Sequence, residues 1–458
     1  MNRRLALLSL LILAASALLS ACAGIAPASP PPPIVFVHGN GDTAALWTTT
    51  LWRFESNGWP RERLHAVDVP YPLARDDDTQ PQDGRSSTTE HMQYLSAEVD
   101  KVLKATGASK VVLFANSRGG NAVRNYIANG GGAAKVSHAI LGGTPNHGVR
   151  ADLTTRPGNE FNGAGPFLAG LNAPKGPNGD EVTPGVQWLT IRSDNNDKFA
   201  QPDGEWIGAK GTPTNVTFAG PELKGATNVV VAGIDHRETS FSPKAFDAAY
   251  RFITGKAPTT LAATPEATVV LDGKLSGLGL NNLQGGYATN LPLAGAVVEV
   301  YATDPATGAR VGSAAHRKTV GADGLWGPFT ARASTAYEFV IAMPGYATTH
   351  IYRSPFARSS DIVNLRAERL AEADKDATSV VSLTRPRGHF GLPRDSIALD
   401  GKSPPAGIPA GIAGVAVAKL KVADTAGRAV VGEFNGERIV GRAWPAAENH
   451  VVFLELHQ

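Results

Sequence analysis

One serine in this chain is placed where a nucleophile could be made. Val111 to Gly120 (Val-Val-Leu-Phe-Ala-Asn-Ser-Arg-Gly-Gly) reads as a strand, a tight turn and the start of a helix, with Ser117 in the turn. Ala115 and Gly119 flank it two residues to either side. A strained elbow that pushes a serine hydroxyl upward needs small residues there, because larger ones would meet neighbouring backbone. The other reading of Asn116-Ser117 is a cap on the following helix. A serine hydroxyl attacks only with a base beside it. His236 stands in a loop after the strand-like Asn228–Val231, where such a base is expected. Two acids, Asp194 and Asp197, follow the strand-like Val186–Ser193 and could orient that histidine. The order Ser, Asp, His along the chain suits a strand-turn-helix nucleophile. Asp197, set well past the strand end, is favoured; Asp194 is the alternative acid, and otherwise braces the loop. Asp235 is poorer, since adjacent residues on an extended segment point apart. The glycine-rich Phe36-Val-His-Gly-Asn-Gly41 can aim a backbone N–H at a developing oxyanion, and its His38 is read as structural.

The elements that must hold these residues follow from hydropathy. Across 34–255, short apolar runs (Ile34–Val37, Leu64–Val69, Val111–Phe114, Val136–Leu141, Val186–Ile191) alternate with helical stretches (Thr43–Glu55, Thr88–Ala105, Gly119–Ala128, Pro243–Ile253). Continuous apolar strands alternating with helices imply a mostly parallel sheet covered on both faces. The stretch 147–184 has few regular signals and is read as a possible lid or acyl-pocket wall, with Phe167, Leu168 and Leu171 toward the substrate. Residues 256–267 read as a linker. Beyond it strands and turn signals dominate, predicting a β-sandwich over 268–370 and a second β region over 371–458, with one helical pattern from Leu365 to Ala373.

Composition narrows the function. The chain has 458 residues and a formal charge of +2, so no basic field argues for nucleic acid. Its single cysteine, Cys22, excludes an internal disulfide and a cysteine-based zinc cluster. No metal-ligand spacing such as His-Glu-x-x-His occurs, and Asp76-Asp77-Asp78 lacks the spacing of a calcium loop. Arg3 and Arg4 precede an apolar run, Leu5–Leu19, too short for a comfortable membrane span. It ends in Leu19-Ser-Ala-Cys22, which resembles the lipobox of bacterial lipoproteins. That resemblance implies a lipoprotein signal peptide over 1–21, lipidation of Cys22, and a proline-rich tether over 22–33. The chain is then an exported bacterial protein anchored to a membrane, the outer membrane or cell surface first.

Residues 34–255 resemble the α/β-hydrolase lipases. The resemblance rests on His38-Gly39, Ala115-Asn-Ser117-Arg-Gly119, Leu141-Gly-Gly-Thr-Pro-Asn-His-Gly148, Ser193-Asp-Asn-Asn-Asp197-Lys198 and His236. Alanine at the elbow is similar to the small Bacillus-type lipases, and the appended β region resembles lipases with a C-terminal β domain for lipid handling. Asn116 replaces the histidine usual in the elbow. The resemblance implies Ser117 as nucleophile, His236 as general acid/base and Asp197 as its orienting acid. It also implies an oxyanion hole from the backbone amides of Asn40 and Arg118. The reaction would be carboxylic-ester hydrolysis through an acyl-enzyme, without cofactor or metal, on an ester or lipid such as an acylglycerol. Two alternatives stand beside it: a polyhydroxyalkanoate-type polyester depolymerase with the same triad, and a non-catalytic surface-binding lipoprotein. Residues 268–458 are expected to be separable from the chemistry and to aid insoluble substrates.

Overall fold

The computed structural model describes residues 30–201, 203–205, 211–277, 289–424 and 426–457. The segment expected to be a signal peptide, 1–21, and Cys22 lie outside the described residues. The elements of the first half begin with strand β1 (Ile34–Val37), helix α1 (Thr48–Ser56), β2 (Leu64–Val67), α2 (Thr88–Thr106), β3 (Val111–Asn116) and α3 (Arg118–Asn129). There follow β4 (Val136–Gly142), α4 (Pro166–Leu171), β5 (Gln187–Ser193), β6 (Thr227–Val231) and α5 (Pro243–Thr254). The six strands form one parallel sheet in the order β2-β1-β3-β4-β5-β6. Alternate residues of a strand point to opposite faces, so each central strand feeds two cores. Phe36, Val112 and Phe114 meet Trp47, Phe54 and Phe246 on one face. Val35, Val37, Leu113 and Ala115 meet Leu95, Val99, Val123 and Tyr126 on the other. Helix α2 starts at a capping box, Ser87 with Glu90, and stops at Gly107, whose φ of 65° suits glycine. Among the described residues no helix is long and apolar enough to cross a membrane.

The second half departs from expectation in two ways. The regions expected as separate, 268–370 and 371–458, share one seven-stranded sheet. Its strand 450–455 lies between 348–353 and 379–384, parallel to both. Val451, Val452 and Leu454 are buried along it, but its position between distant partners left no local trace in the sequence. The helical pattern at Leu365–Ala373 is instead a strand, Leu365–Ala367, followed by a single 3-10 turn, Glu372–Asp374. Leu365 and Ala367 are buried and pair in parallel with Leu275–Gly277, so tertiary burial with a period of two overrides good helix formers.

The linker is not a free spacer either. Asn57 holds both Thr259 N–H and Thr260 C=O, and Arg53 Nε donates to Leu261 C=O at 2.8 Å. Trp52 of α1 packs in the β region's core and donates its indole N–H to Ser359 C=O at 2.9 Å. Ile362 packs in turn against the sheet's aromatic core. Asp68, just past β2, accepts from Asn364 Nδ2 at 3.0 and 3.1 Å. Residues 33–458 form one compact unit.

Candidate active site

Ser117 joins β3 to α3 with φ 52° and ψ −122°, a conformation that costs about 1–3 kcal/mol and persists only where its surroundings impose it. Two glycines impose it. A Cβ on Gly119 would sit 2.6 Å from the carbonyl oxygens of Val37 and His38, so this turn of α3 packs directly on the end of β1. A Cβ on Gly39 would lie 3.0 Å from Ser117 Cβ. Asn116 ties the elbow to the base: its side-chain N–H groups reach Gly142 C=O, His236 C=O and Thr239 Oγ1, each at 3.3 Å.

His236 Nδ1 is 2.8 Å from Asp197 Oδ2, with both side chains almost fully buried. A carboxylate on Nδ1 selects the tautomer that leaves Nε2 able to accept a proton. Asp197 Oδ1 accepts from Phe199 N–H at 2.8 Å, and the Phe199 ring stands edge-on to the imidazole, 4.6 Å between centroids. Asp194 faces elsewhere. It accepts from Gly233 N–H at 2.9 Å and Asn195 N–H at 2.8 Å, bracing the loop ends. Partial burial would raise its carboxyl, but these backbone donors outweigh that and hold it below the usual range. Gly143, with φ 56°, lets the end of β4 pass beneath the histidine: a Cβ there would meet His236 C=O at 2.9 Å. Ser117 and His236 line one cleft, although no hydrogen bond joins their side chains in the described residues.

Asn40 also lines that cleft, at the end of β1, and its side chain is pinned by Ala74 N–H at 2.8 Å. Arg118 begins α3, so its amide needs no acceptor within the helix. Its guanidinium turns inward and grips Glu160 with two bonds of 2.9 Å, together with Pro72 C=O and Ser86 C=O. That buried pair clamps the 147–184 stretch to the elbow. The wall it presents is Val149, Arg150 and Phe161, whereas Leu168 and Leu171 of α4 are buried away from the cleft. Leu171 C=O is held by Arg124 of α3, and this turns α4 into the body of the protein. His38 is structural: Nδ1 donates to Gly39 C=O at 2.9 Å, Nε2 accepts from Val69 N–H at 3.1 Å, and burial keeps its pKa low. The three acids at 76–78 are each engaged within the protein, Asp78 with Thr88 at the start of α2.

Residues from the β region reach the base, and sequence reasoning missed them. Asp235 is fully buried; Oδ2 accepts from Arg385 Nη1 at 2.7 Å and His389 N–H at 2.8 Å. Its Oδ1 accepts from the backbone N–H groups of Arg237 and Glu238. Burial would raise this carboxyl, but the His389 ring, Arg385 and Arg394 prevail and hold it far below the ordinary range. Glu238 bridges Arg385 at 2.6 Å and Arg394 at 2.7 Å. His389 lines the cleft, and burial lowers its pKa to about 4, so it is neutral at neutral pH. The acid's loop is held as well: Asn196 Oδ1 accepts from Ala413 N–H at 2.8 Å, and Lys198 Nζ donates to Gly414 C=O at 3.1 Å. The available signal was an aspartate directly before His236, with arginines far along the chain.

Residues 31–160 match the lipase (class 2) family, and residues 267–370 match the lipase C-terminal domain. Among solved structures, lipase B of Aspergillus fumigatus aligns at 15% identity over 51% of this chain and 56% of its own, with a TM-score of 0.35. The chain thus spans little more than half of that enzyme's length. The mature lipase BlEst2 of Bacillus licheniformis aligns at 19% identity over 50% of this chain and 95% of its own, also with a TM-score of 0.35. A parallel sheet with an elbow serine thus stands in a chain that is similar to the class 2 lipases over 31–160 and to the lipase C-terminal domain over 267–370.

Proposed function

We propose that Ser117, His236 and Asp197 form a catalytic triad that cleaves lipid-class esters, acylglycerols first, through an acyl-enzyme. The observation that carries this reading is the buried 2.8 Å bond from Asp197 to His236, in a cleft whose floor holds Ser117 at φ 52°. His236 Nε2 takes the Ser117 proton as Oγ attacks the ester carbonyl, and then returns it to the departing alcohol. Asp197 stabilises the imidazolium formed between those steps. The amides of Asn40 and Arg118 supply the donors for the tetrahedral oxyanion. Water repeats the sequence on the acyl-enzyme and releases the acid. The substrate cleft is about 660 Å³ and mixes Val149, Phe161 and Phe199 with several arginines. That mixture favours a second reading, a polyester of hydroxy acids, whose backbone is more polar than an acyl chain.

The test is Ser117→Ala in the mature protein, followed with a soluble 4-nitrophenyl ester and a fluorophosphonate probe. The variant should fold, lose the label, and lose about three or more powers of ten in kcat. Turnover within tenfold of the parent would sink the assignment. Anchoring through a lipidated Cys22 belongs to the same proposal, supported by the Leu-Ser-Ala-Cys site. A fatty-acid analogue fed to cells should label the parent and not Cys22→Ser; equal labelling would end that idea.

A further inference from the structure

The side chains around the cleft carry an excess of one charge. Five cations line it (Arg85, Arg150, Arg156, Lys198 and Arg237) against two acids, Asp42 and Asp76. Over the whole chain the same residue types are nearly balanced, at 43 and 41, so the imbalance is local. Pairing does not remove it. Asp42 is committed to Arg237 at 3.2 Å. Asp76 is shared by Arg156 at 2.8 Å and Arg85 at 4.0 Å. That leaves two cations. Arg150 is partly buried, and its guanidinium has no hydrogen bond or ion pair among the described residues; Asp152 acts on it only weakly, beyond contact distance. Lys198 donates only to the Gly414 carbonyl, and no carboxylate stands within ion-pair distance of it among the described residues. Burial lowers the Lys198 pKa, with Arg237 adding to the effect, and the opposing pull of Asp197 and Asp235 does not offset it. Partly desolvated cations facing a substrate cleft are unfavourable until an anion joins them.

We propose that the cleft beside Ser117 takes esters that carry an anionic group, which Arg150 and Lys198 receive. The proposal rests on the serine-hydrolase reading and names its substrate class. An anion there could be a carboxylate, as at the end of a hydroxy-acid oligomer, or a phosphate, as on a glycerolipid headgroup. Arg150 offers a planar fork that suits either group, and Lys198 adds a point charge. Arg156 and Arg237 already have carboxylate partners and add a background field.

Two matched substrate pairs, run on the full-length mature protein, test this. One compares 4-nitrophenyl hydrogen adipate with methyl 4-nitrophenyl adipate, which differ in a carboxylate. The other compares dihexanoyl phosphatidic acid with dihexanoylglycerol, which differ in a phosphate. In at least one pair kcat/KM should be about tenfold higher for the anionic member at low salt, falling toward parity at ~1 M NaCl. The pair that shows the preference identifies the kind of anion. Arg150→Gln and Lys198→Gln should each lower the anionic-to-neutral ratio by about threefold or more. Equal or better use of the neutral member in both pairs overturns the proposal, and so does a ratio unmoved in both variants. If no member of either pair is cleaved, the serine-hydrolase reading fails, an outcome distinct from cleavage without preference.

Discussion

Replacing Arg385 with methionine tests whether the β region holds His236, the proposed base, in place. Arg385 is 3% exposed and donates to Asp235 at 2.7 Å, to Glu238 at 2.6 Å and to His389 C=O at 2.7 Å. Methionine fills much of the volume and supplies none of these bonds. Removing one partner of a buried ion pair costs about 3–5 kcal/mol, because the other charge is left in a poor solvent. Here Asp235 keeps three backbone N–H donors and Arg394 at 3.6 Å. The low end, about 3 kcal/mol, is therefore expected in urea unfolding at neutral pH. The pH dependence has a definite sign. The Asp235 carboxyl lies below its unfolded value, so its contribution is fully present above about pH 4 and fades as the pH falls further. The gap between parent and variant should shrink on that same descent. Because His236 follows Asp235 directly, kcat should fall by about 10–100-fold with KM little changed. Arg385→Lys, which keeps a charge but not the fork, should recover part of both losses. A stability gap under about 1 kcal/mol at pH 7, or one that widens below pH 4, would refute the reasoning.

The remaining predictions concern the acid and the domain boundary. Asp197→Asn should lower kcat by about four powers of ten through the wrong histidine tautomer, while Asp194→Asn should lower it less than about tenfold. The reverse ranking in steady-state kinetics would exchange their roles. Truncation after Gly255 exposes Trp52 and leaves Asp235 and Glu238 without their arginines, so the fragment should fail to melt cooperatively and should not cleave 4-nitrophenyl butyrate. A fragment that melts cooperatively and keeps kcat within fivefold would show that the β region is separable after all.

Much of the site was legible because its signals are local. The small residues around Ser117 report steric needs within one turn, and the strand before each functional loop announces itself by an apolar run. Asp197 stood out from Asp194 by its distance past β5, and the structure pairs it with His236 while Asp194 braces Gly233. What could not be read was long-range. Asp235 looked inert because its partner lies 150 positions away. The strand at Leu365–Ala367 looked helical because helix propensity is carried in the residues themselves, and the neighbour that overrides it, Leu275–Gly277, is distant in the chain. The cleft wall was assigned to Phe167, Leu168 and Leu171 on hydrophobicity alone, although α4 spends its leucines on internal packing.

The strand at 450–455 bears on how the molecule is made. Its neighbours, 348–353 and 379–384, do not pair with each other; each meets this strand on one edge and an earlier-paired strand, 336–342 or 417–422, on the other. A growing chain therefore carries two half-sheets with open edges until residue 455 is available. Open edges invite pairing with other chains, and non-local closure is slow. The loops that hold His236 and Asp197 are fastened by residues 385–414, which connect the two paired strands of the later half-sheet, 379–384 and 417–422. Assembly of the site around Ser117 is thus coupled to the arrival of this strand, and a chain halted short of it carries Ser117 without a firmly held His236.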